Sequence, residues 1–373
     1  MARAPAIQEI DELPEADRLE GFPHPRETRA VFGHEAAEAA LAQAFAGGRM
    51  HHGWLLTGRE GIGKATLAYR LARHVLAELG ERDPSGRSLE TPSGSSASRQ
   101  VAALSHPGLL VLRRPYDPRT KRIVTSIPVD EVRRLRSFLG LTGGEGAWRV
   151  VIVDSADELN LNAANALLKS LEEPPVRALF VLISAEPSRL LPTIRSRCRR
   201  LDLAPLALEP LQSATAAALA AAKMEMPAPD AWQRIGRLAD GSVRRALQLA
   251  SAGGLDLYER VETIFSSLPK IDWSSAHALS DQMGFGAQEQ RFDAFFDFFL
   301  DRLARLVRVA ATGRGEAAEL ALARRLIGDG RLPSWAALWQ TVLQEKNDAL
   351  ELNLDRKALI LGALGRLEAV ARG

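Results

Sequence analysis

Cysteine is almost missing from this sequence: Cys198 is the single cysteine among 373 residues. An internal disulfide framework and a four-cysteine zinc site are therefore excluded, and we expect no zinc. Long apolar runs are missing as well, since none approaches the length of a membrane span. The opening stretch MARAPAIQEIDELPEADRLE is acidic and lacks the apolar core of a signal peptide. We therefore expect a cytoplasmic protein that does not bind membranes.

Aromatic residues and net charge are also low. Aromatics make up 6% of the chain, whereas Ala, Leu and Arg are common, which favours helical structure. The formal net charge of +2 is too small to indicate nucleic-acid binding by itself. At 373 residues the chain exceeds one ordinary core, so we expect two or three domains.

Short apolar runs alternate with helical patterns as far as residue 205. The runs that predict strands are GWLLTG (53–58), GLLVLRR (108–114), WRVVIVDSAD (148–157), ALFVLISAE (178–186) and CRRLDLAPL (198–206). Such alternation predicts an α/β fold, with a parallel sheet covered by helices on both sides. Beyond Pro205 only helical patterns remain.

Composition divides the chain into four parts, which we place at 1–22, 23–205, 206–253 and 254–373. The first is an acidic, proline-containing tail that we expect to be disordered. The second is the α/β core, and its Ser/Gly/Pro-rich stretch at 80–106 predicts a flexible insertion. A break at SAGGLDL separates the third part, a small helical unit, from the larger all-helical fourth part.

A glycine loop follows the first predicted strand and opens a helix. Gly58, Gly61, Gly63 and Lys64 fit the phosphate-loop pattern in the context that this pattern requires. The glycines let successive backbone N–H groups turn inward around an anion, and the lysine reaches the β- and γ-phosphates. The alternative is a glycine-rich turn with a surface lysine. The strand and helix on either side favour a site for ATP or ADP.

Two groups that ATP hydrolysis needs are missing from this site. Ala65 stands where a Ser or Thr hydroxyl would ligate Mg²⁺, and Thr66 cannot replace it because one helical residue rotates a side chain by about 100°. Asp154 closes the strand RVVIVD, where a carboxylate can hold the Mg²⁺ shell. The next position, usually a Glu in hydrolysing enzymes, is Ser155, which is no general base at neutral pH. We expect nucleotide binding with negligible turnover, although Asp154 could also be a plain turn residue.

Three segments together resemble the bacterial clamp-loader AAA+ family of DNA polymerase III, and within it the delta-prime group. They are GREGIGKAT (58–66), NALLKSLEEPP (165–175) and PSRLLPTIRSRCRRL (187–201). A fourth segment, GSVRRAL (241–247), is similar to the sensor-2 helix of this family. The resemblance implies an AAA+ phosphate-loop core followed by a small helical lid and an all-α collar through which subunits assemble. It covers residues 23–250 by motif, and the rest by position and helical character alone.

The resemblance also implies roles for particular residues. Arg197 matches the arginine of the family's Ser-Arg-Cys element, which enters the ATP site of a neighbouring subunit as a finger acting in trans. Arg244 matches the sensor-2 arginine, and Ser184 lies where the family has its polar sensor-1 residue. Alternatives stay open: a solvated basic edge for Arg197, a surface arginine for Arg244, and a helix cap for Ser184. Cys198 is best interpreted as a buried small apolar residue.

The function implied is that of a non-hydrolysing clamp-loader subunit, with no ATPase activity of its own, inside the DNA polymerase holoenzyme. The implied partners are the gamma/tau ATPases, the delta subunit, the sliding clamp and, through the assembly, primer–template DNA. An active AAA+ motor on DNA is the alternative, and it would need another carboxylate, such as Asp157, in place of the missing Glu. A small-molecule kinase fits less well, since half of the chain is helical. The family's cysteine zinc module has no counterpart here.

Two basic stretches could contact nucleic acid. RRPYDPRTKR (113–122) and RRLR (133–136) are rich in cations that could meet phosphates and add a salt-dependent term to DNA affinity. A solvated helix face is the alternative, and we prefer it for 133–136.

Overall fold

The computed structural model describes residues 14–83, 85–120, 122–140, 147–283, 289–328, 330–352 and 354–373. The chain divides into two compact units, residues 1–223 and 224–373. This boundary falls inside the predicted helical part 206–253, whose first helix belongs to the first unit. The four-part division itself stays a prediction.

The first unit is built on a five-stranded parallel sheet. Its strands are β1 (Gly53–Thr57), β2 (Leu109–Leu112), β5 (Arg149–Asp154), β6 (Ala178–Ser184) and β7 (Arg199–Asp202). Their order in the sheet is β2-β5-β6-β1-β7. Two short strands, β3 (Tyr116–Asp117) and β4 (Arg122–Ile123), form a separate antiparallel pair. The predicted α/β fold with a parallel sheet is confirmed.

The sheet separates two apolar layers. Val150 and Ile152 of β5 point into one layer, and Val151 and Val153 point into the other. This follows from the strand period of two residues. Helices cover both faces, so the central strands are apolar without interruption, and every residue of β6 is buried.

Seven helices of the first unit lie among its described residues. They are α1 (Glu35–Ala46), α2 (Lys64–Leu76), α3 (Ser96–Ala102), α4 (Val129–Gly140), α5 (Leu161–Glu172), α6 (Pro192–Arg195) and α7 (Leu208–Ala221). α5 begins where the Asn160 side chain accepts a hydrogen bond from the Ala163 backbone N–H at 2.8 Å, an N-cap. It ends ahead of Pro174 and Pro175, which cannot continue a helix.

The stretch 80–106 is more ordered than its composition predicts. Leu89 and Val101 are fully buried in the same apolar layer as α2, and α3 forms behind the N-cap Ser95. Glu38 of α1 accepts hydrogen bonds from the Leu89 backbone at 3.0 Å and from the Ser88 hydroxyl at 3.2 Å. The prediction of a flexible insertion is wrong for these parts, because two apolar side chains anchor a polar segment to the core.

Replacing Leu89 with alanine should therefore destabilise the first unit by about 2 kcal/mol, the lower end of the usual cost of deleting a buried leucine side chain. Leu79→Ala is the matched control, since Leu79 is 84% exposed and should cost close to nothing. Denaturant unfolding of the two variants checks this. Equal midpoints would show that the segment does not pack as described.

Residues 14–22 of the predicted disordered tail make defined contacts with the rest of the first unit. Residues 1–13 lie outside the described residues, but the side chain of Asp17 is only 6% exposed and lies 2.9 Å from His24 and 2.8 Å from Arg113. Glu15 bridges Arg26 at 2.7 Å and Arg113 at 2.5 Å. The acidic side chains that suggested a solvated tail instead pair with Arg26 and Arg113, which are partly buried.

These contacts change the interpretation of the basic stretches. Arg113 is engaged by the amino-terminal carboxylates, and Arg114 forms an ion pair with Glu158 at 2.8 Å. Both arginines thus serve the fold of the first unit. On α4, Arg133 and Arg134 are exposed and pair with carboxylates one turn earlier, as the preferred solvated-face interpretation expects.

The described part of the second unit is helical. Its helices are α8 (Pro229–Ala239), α9 (Val243–Ala250), α10 (Gly254–Ser267), α11 (Trp273–Asp281), α12 (Glu289–Thr312), α13 (Ala317–Leu326), α14 (Leu332–Leu352) and α15 (Arg356–Arg372). The phenylalanines of α12 are buried, so core packing accounts for its apolar stripe. Across the described residues, no helix has both the length and the apolarity that crossing a membrane would take.

Candidate functional site

The glycine loop lies between the carboxyl end of β1 and the first residue of α2, as predicted. Gly58, Gly61 and Gly63 have φ angles of 143°, 75° and 104°, a region that side chains disfavour. At Gly58 a Cβ atom would also lie 2.5 Å from the Leu203 carbonyl oxygen. Only glycine fits this close approach. The positive φ angles curve the backbone, so that its N–H groups can point towards an anion.

Lys64 is buried inside this loop. Its Nζ donates to the Gly58 carbonyl at 2.7 Å and to the Arg59 carbonyl at 2.5 Å. Burial lowers the pKa of Lys64, while the nearby carboxyl groups of Glu60 and Asp154 act in the opposite direction. The ammonium group is therefore held at the loop by two neutral carbonyl groups. A phosphate could take their place, because a hydrogen bond between two charged groups is stronger.

His34 supports the loop from behind. Its Nε2 lies 2.7 Å from the Ile62 carbonyl oxygen, and a Cβ on Gly63 would lie 3.6 Å from the His34 ring. The histidine therefore fixes the turn that precedes α2. Sequence reasoning missed this residue, because a lone histidine before a helix carries no spacing signal.

Three polar residues meet at the carboxyl edge of the sheet beside the loop. Thr57 of β1 is opposite Ser184 of β6, and Asp154 of β5 is opposite Ile183. Ser184 is fully buried, and its hydroxyl has no hydrogen-bond partner among the described residues. The predicted positions of Asp154 and Ser184 next to the glycine loop agree with this register. Their roles stay predictions.

Asp154 is a buried carboxyl group. Burial raises its pKa to about 8, and the charges of Asp17 and Glu158 add to the rise, whereas Lys64 and Arg113 oppose it. Within the described part of the chain, its Oδ2 atom has no hydrogen-bond partner. At neutral pH the group is therefore mostly protonated, and a cation would have to displace that proton.

The remaining positions offer little to a metal ion. Ala65 packs against the apolar layer, and Ser155 leads into a short turn that carries Asp157. In that turn burial raises the pKa of Glu158 to about 7, and its carboxylate pairs with an arginine. Among the described residues, no cluster of three or more His, Cys, Asp or Glu side chains could hold a metal ion. The glycine loop with Lys64 stays a predicted phosphate site, and Asp154 stays its candidate carboxylate for Mg²⁺.

Arg197 lies near the amino end of β1, whereas the glycine loop follows the carboxyl end of the same strand. It precedes β7, whose Arg199 pairs with Trp54 near the amino end of β1. A Cβ on Gly53 would lie 3.3 Å from the Arg197 carbonyl oxygen. The length of β1, roughly 13 Å at about 3.3 Å per residue, therefore separates this arginine from the loop of its own chain.

Cys198 and Arg244 are the other two residues that the sequence singled out. Cys198 is buried, which raises its pKa to about 11, so it behaves as a small apolar residue. Arg244 belongs to the second unit, where its charge acts on Asp297 of α12. Its neighbour Arg245 forms an ion pair with Asp301 at 2.5 Å. The sensor-2 assignment of Arg244 stays a prediction.

Comparison with known proteins places the chain among replication proteins. A family profile described as "DNA polymerase III, delta subunit" matches residues 33–207. The delta' subunit of DNA polymerase III from Pseudomonas aeruginosa is 32% identical over 338 residues, 88% of this chain and 94% of that protein. The delta' subunit from Escherichia coli is 33% identical over 236 residues, 63% of this chain and 65% of that protein.

Similarity extends to another subunit type. The tau subunit from Escherichia coli is 30% identical over 257 residues, which is 68% of this chain but 37% of that protein. Among solved structures, a DNA polymerase III gamma subunit-related protein from Thermotoga maritima aligns with 91% of this chain and 100% of its own, at 18% identity and a TM-score of 0.40.

Proposed function

The chain belongs to the delta' family of DNA polymerase III clamp-loader subunits, and from this premise we propose that it binds ATP or ADP without hydrolysing it and lends Arg197 to a neighbouring ATPase subunit. One observation carries the proposal. The glycine loop and Arg197 lie at opposite ends of β1, so Arg197 cannot contact a phosphate bound in the loop of its own chain.

The first half of the proposal concerns the chain's own loop. The backbone N–H groups around Gly61 and Gly63, together with Lys64, would hold the phosphates of a bound nucleotide. Asp154 could bind Mg²⁺, but Ala65 has no hydroxyl group to act as a second ligand. Ser155 has no carboxylate that could activate a water molecule. We therefore expect nucleotide binding without hydrolysis, because the groups that bind phosphate are present and the carboxylate that activates water is missing.

The second half concerns the arginine. A guanidinium group supplies paired N–H donors to the charge that develops on a γ-phosphate. Arg197 is 36% exposed, so a neighbouring subunit can reach it. On this proposal the neighbours are gamma/tau-type ATPases and a delta subunit, and the assembly acts on the sliding clamp and primer–template DNA.

Lys64→Ala should weaken ATP binding by the isolated chain about 10- to 100-fold, since a hydrogen bond to a charged group contributes about 1.5–3 kcal/mol. Calorimetric titration with ATP, with and without Mg²⁺, measures this. We expect Mg²⁺ to change the affinity little, because Asp154 is the one ligand that we propose for it among the described residues, and burial raises the pKa of this carboxyl group. Lys169→Ala, an exposed lysine on α5, is the control. ATP turnover by the purified chain that Lys64→Ala abolishes would instead favour the alternative of an active motor.

A further inference from the structure

Two separate segments meet over the amino end of β1. Leu171, near the end of α5, and Cys198, beside Arg197, both pack in the apolar layer on that face of the sheet. Gly53 shows how closely they approach: a Cβ there would lie 3.2 Å from the Cys198 Sγ and 3.5 Å from the Leu171 Cδ2. The residues next to these anchors, Glu172 and Arg197, are therefore fixed relative to one another through their backbones.

Their side chains form an ion pair. The Arg197 Nη2 lies 2.9 Å from the Glu172 Oε1, and the Arg197 Nη1 donates to the Thr193 carbonyl at 3.0 Å. The side chains of Arg197 and Glu172 are 36% and 42% exposed, so the pair contributes little to stability. It does favour one direction of a long side chain that would otherwise sample many rotamers.

We propose that Glu172 is the positioning residue for Arg197: with the Thr193 carbonyl, it holds the guanidinium group in the orientation presented to the neighbouring subunit's nucleotide. A guanidinium group has five N–H donors, and these two contacts use two of them. Three donors remain for the γ-phosphate, so the ion pair orients the arginine without blocking it. This inference rests on the proposed function, because it gives Arg197 its role in trans.

The experiment uses the reconstituted clamp-loader assembly with DNA, and it measures kcat and KM for ATP. Glu172→Ala should lower the kcat of the site facing this subunit roughly tenfold with little change in KM, because displacing a catalytic group by about 1 Å can cost as much as 10²-fold. Glu172→Gln keeps an acceptor oxygen and should recover part of the loss. Glu173→Ala is the matched control, since this adjacent exposed carboxylate forms no ion pair with a described residue.

A double-mutant cycle separates positioning from a structural role. In the Arg197→Ala background, Glu172→Ala should not lower kcat further. The melting temperature of the Glu172→Ala single variant should match that of the parent protein. An unchanged or higher kcat for Glu172→Ala, or an equal loss in both backgrounds, would overturn the positioning role. If Arg197→Ala alone left the rate unchanged, the finger itself would be refuted, which is a different result.

Discussion

Arg197→Ala is expected to lower ATP turnover at the neighbouring subunit's site by about 10³-fold or more, the range found for arginine fingers in other phosphate-loop enzymes. The guanidinium group stabilises charge that exists only in the transition state, so kcat should fall while nucleotide affinity changes little. Single-turnover phosphate release from the DNA-bound assembly measures the loss at the affected site.

Two further variants make this test specific. Arg195→Ala removes an exposed arginine from the same turn and should leave the rate unchanged. Arg197→Lys keeps the positive charge but loses the planar, paired donors, so it should stay close to the alanine variant. Full activity in Arg197→Ala would contradict the proposed function.

Asp154→Asn is expected to stabilise the first unit increasingly as the pH rises above about 4, by an amount on the order of several kcal/mol at pH 8. Folding buries this carboxyl group and raises its pKa from 3.8 to about 8, so between these values the folded state binds a proton that the unfolded state releases. The stability due to the protonated group is therefore complete below about pH 4 and is lost as the pH rises to 8, at about 1.4 kcal/mol per pH unit at most. Asparagine keeps the shape and never ionises.

Hydrogen exchange of the β5 and β6 amides reports on the first unit separately from the second. At pH 4 the wild type and Asp154→Asn should have similar free energies of opening, and the gap should widen steadily towards pH 8. Glu158, whose pKa is raised to about 7 by burial, titrates in both proteins, and its charge adds to the gap because it raises the pKa of Asp154. A constant gap across this range would show that Asp154 is ionised in the folded protein.

Local patterns were enough to predict the α/β unit. Four strands of the parallel sheet, β1, β2, β5 and β6, lie within apolar runs of the sequence, because strands covered on both faces are largely apolar. The fifth strand, β7, is mostly exposed, and its own residues form no such run. The helix α5 was equally clear, since Asn160 caps its start and Pro174 follows its end. In both cases the signals lie within a few residues of the element that they define.

Contacts between distant segments could not be predicted in this way. Leu89 and Val101 looked like minor parts of a polar insertion, and only the folded chain places them in the core. The pairing of Asp17 with Arg113 joins residues far apart in the sequence. Composition reports the chemical character of a segment, but it does not report which partner that segment will reach.

The candidate site shows the same limit. The glycine loop, Asp154 and Arg197 were found because a motif fixes the spacing of each. The raised pKa of Asp154 and the support that His34 gives the loop depend on what surrounds them in three dimensions. Glu172 was visible within a motif, but its contact with Arg197 was not.

The placement of the two proposed functional groups at opposite ends of β1 has a consequence for how such a protein can change over generations. A substitution beside the glycine loop, such as alanine at position 65, leaves the segment before β7 untouched, because a whole strand lies between them. Selection can therefore relax on one end of the strand while it continues to act on the other. A subunit can lose its own catalysis in this way and still be indispensable to its neighbour's.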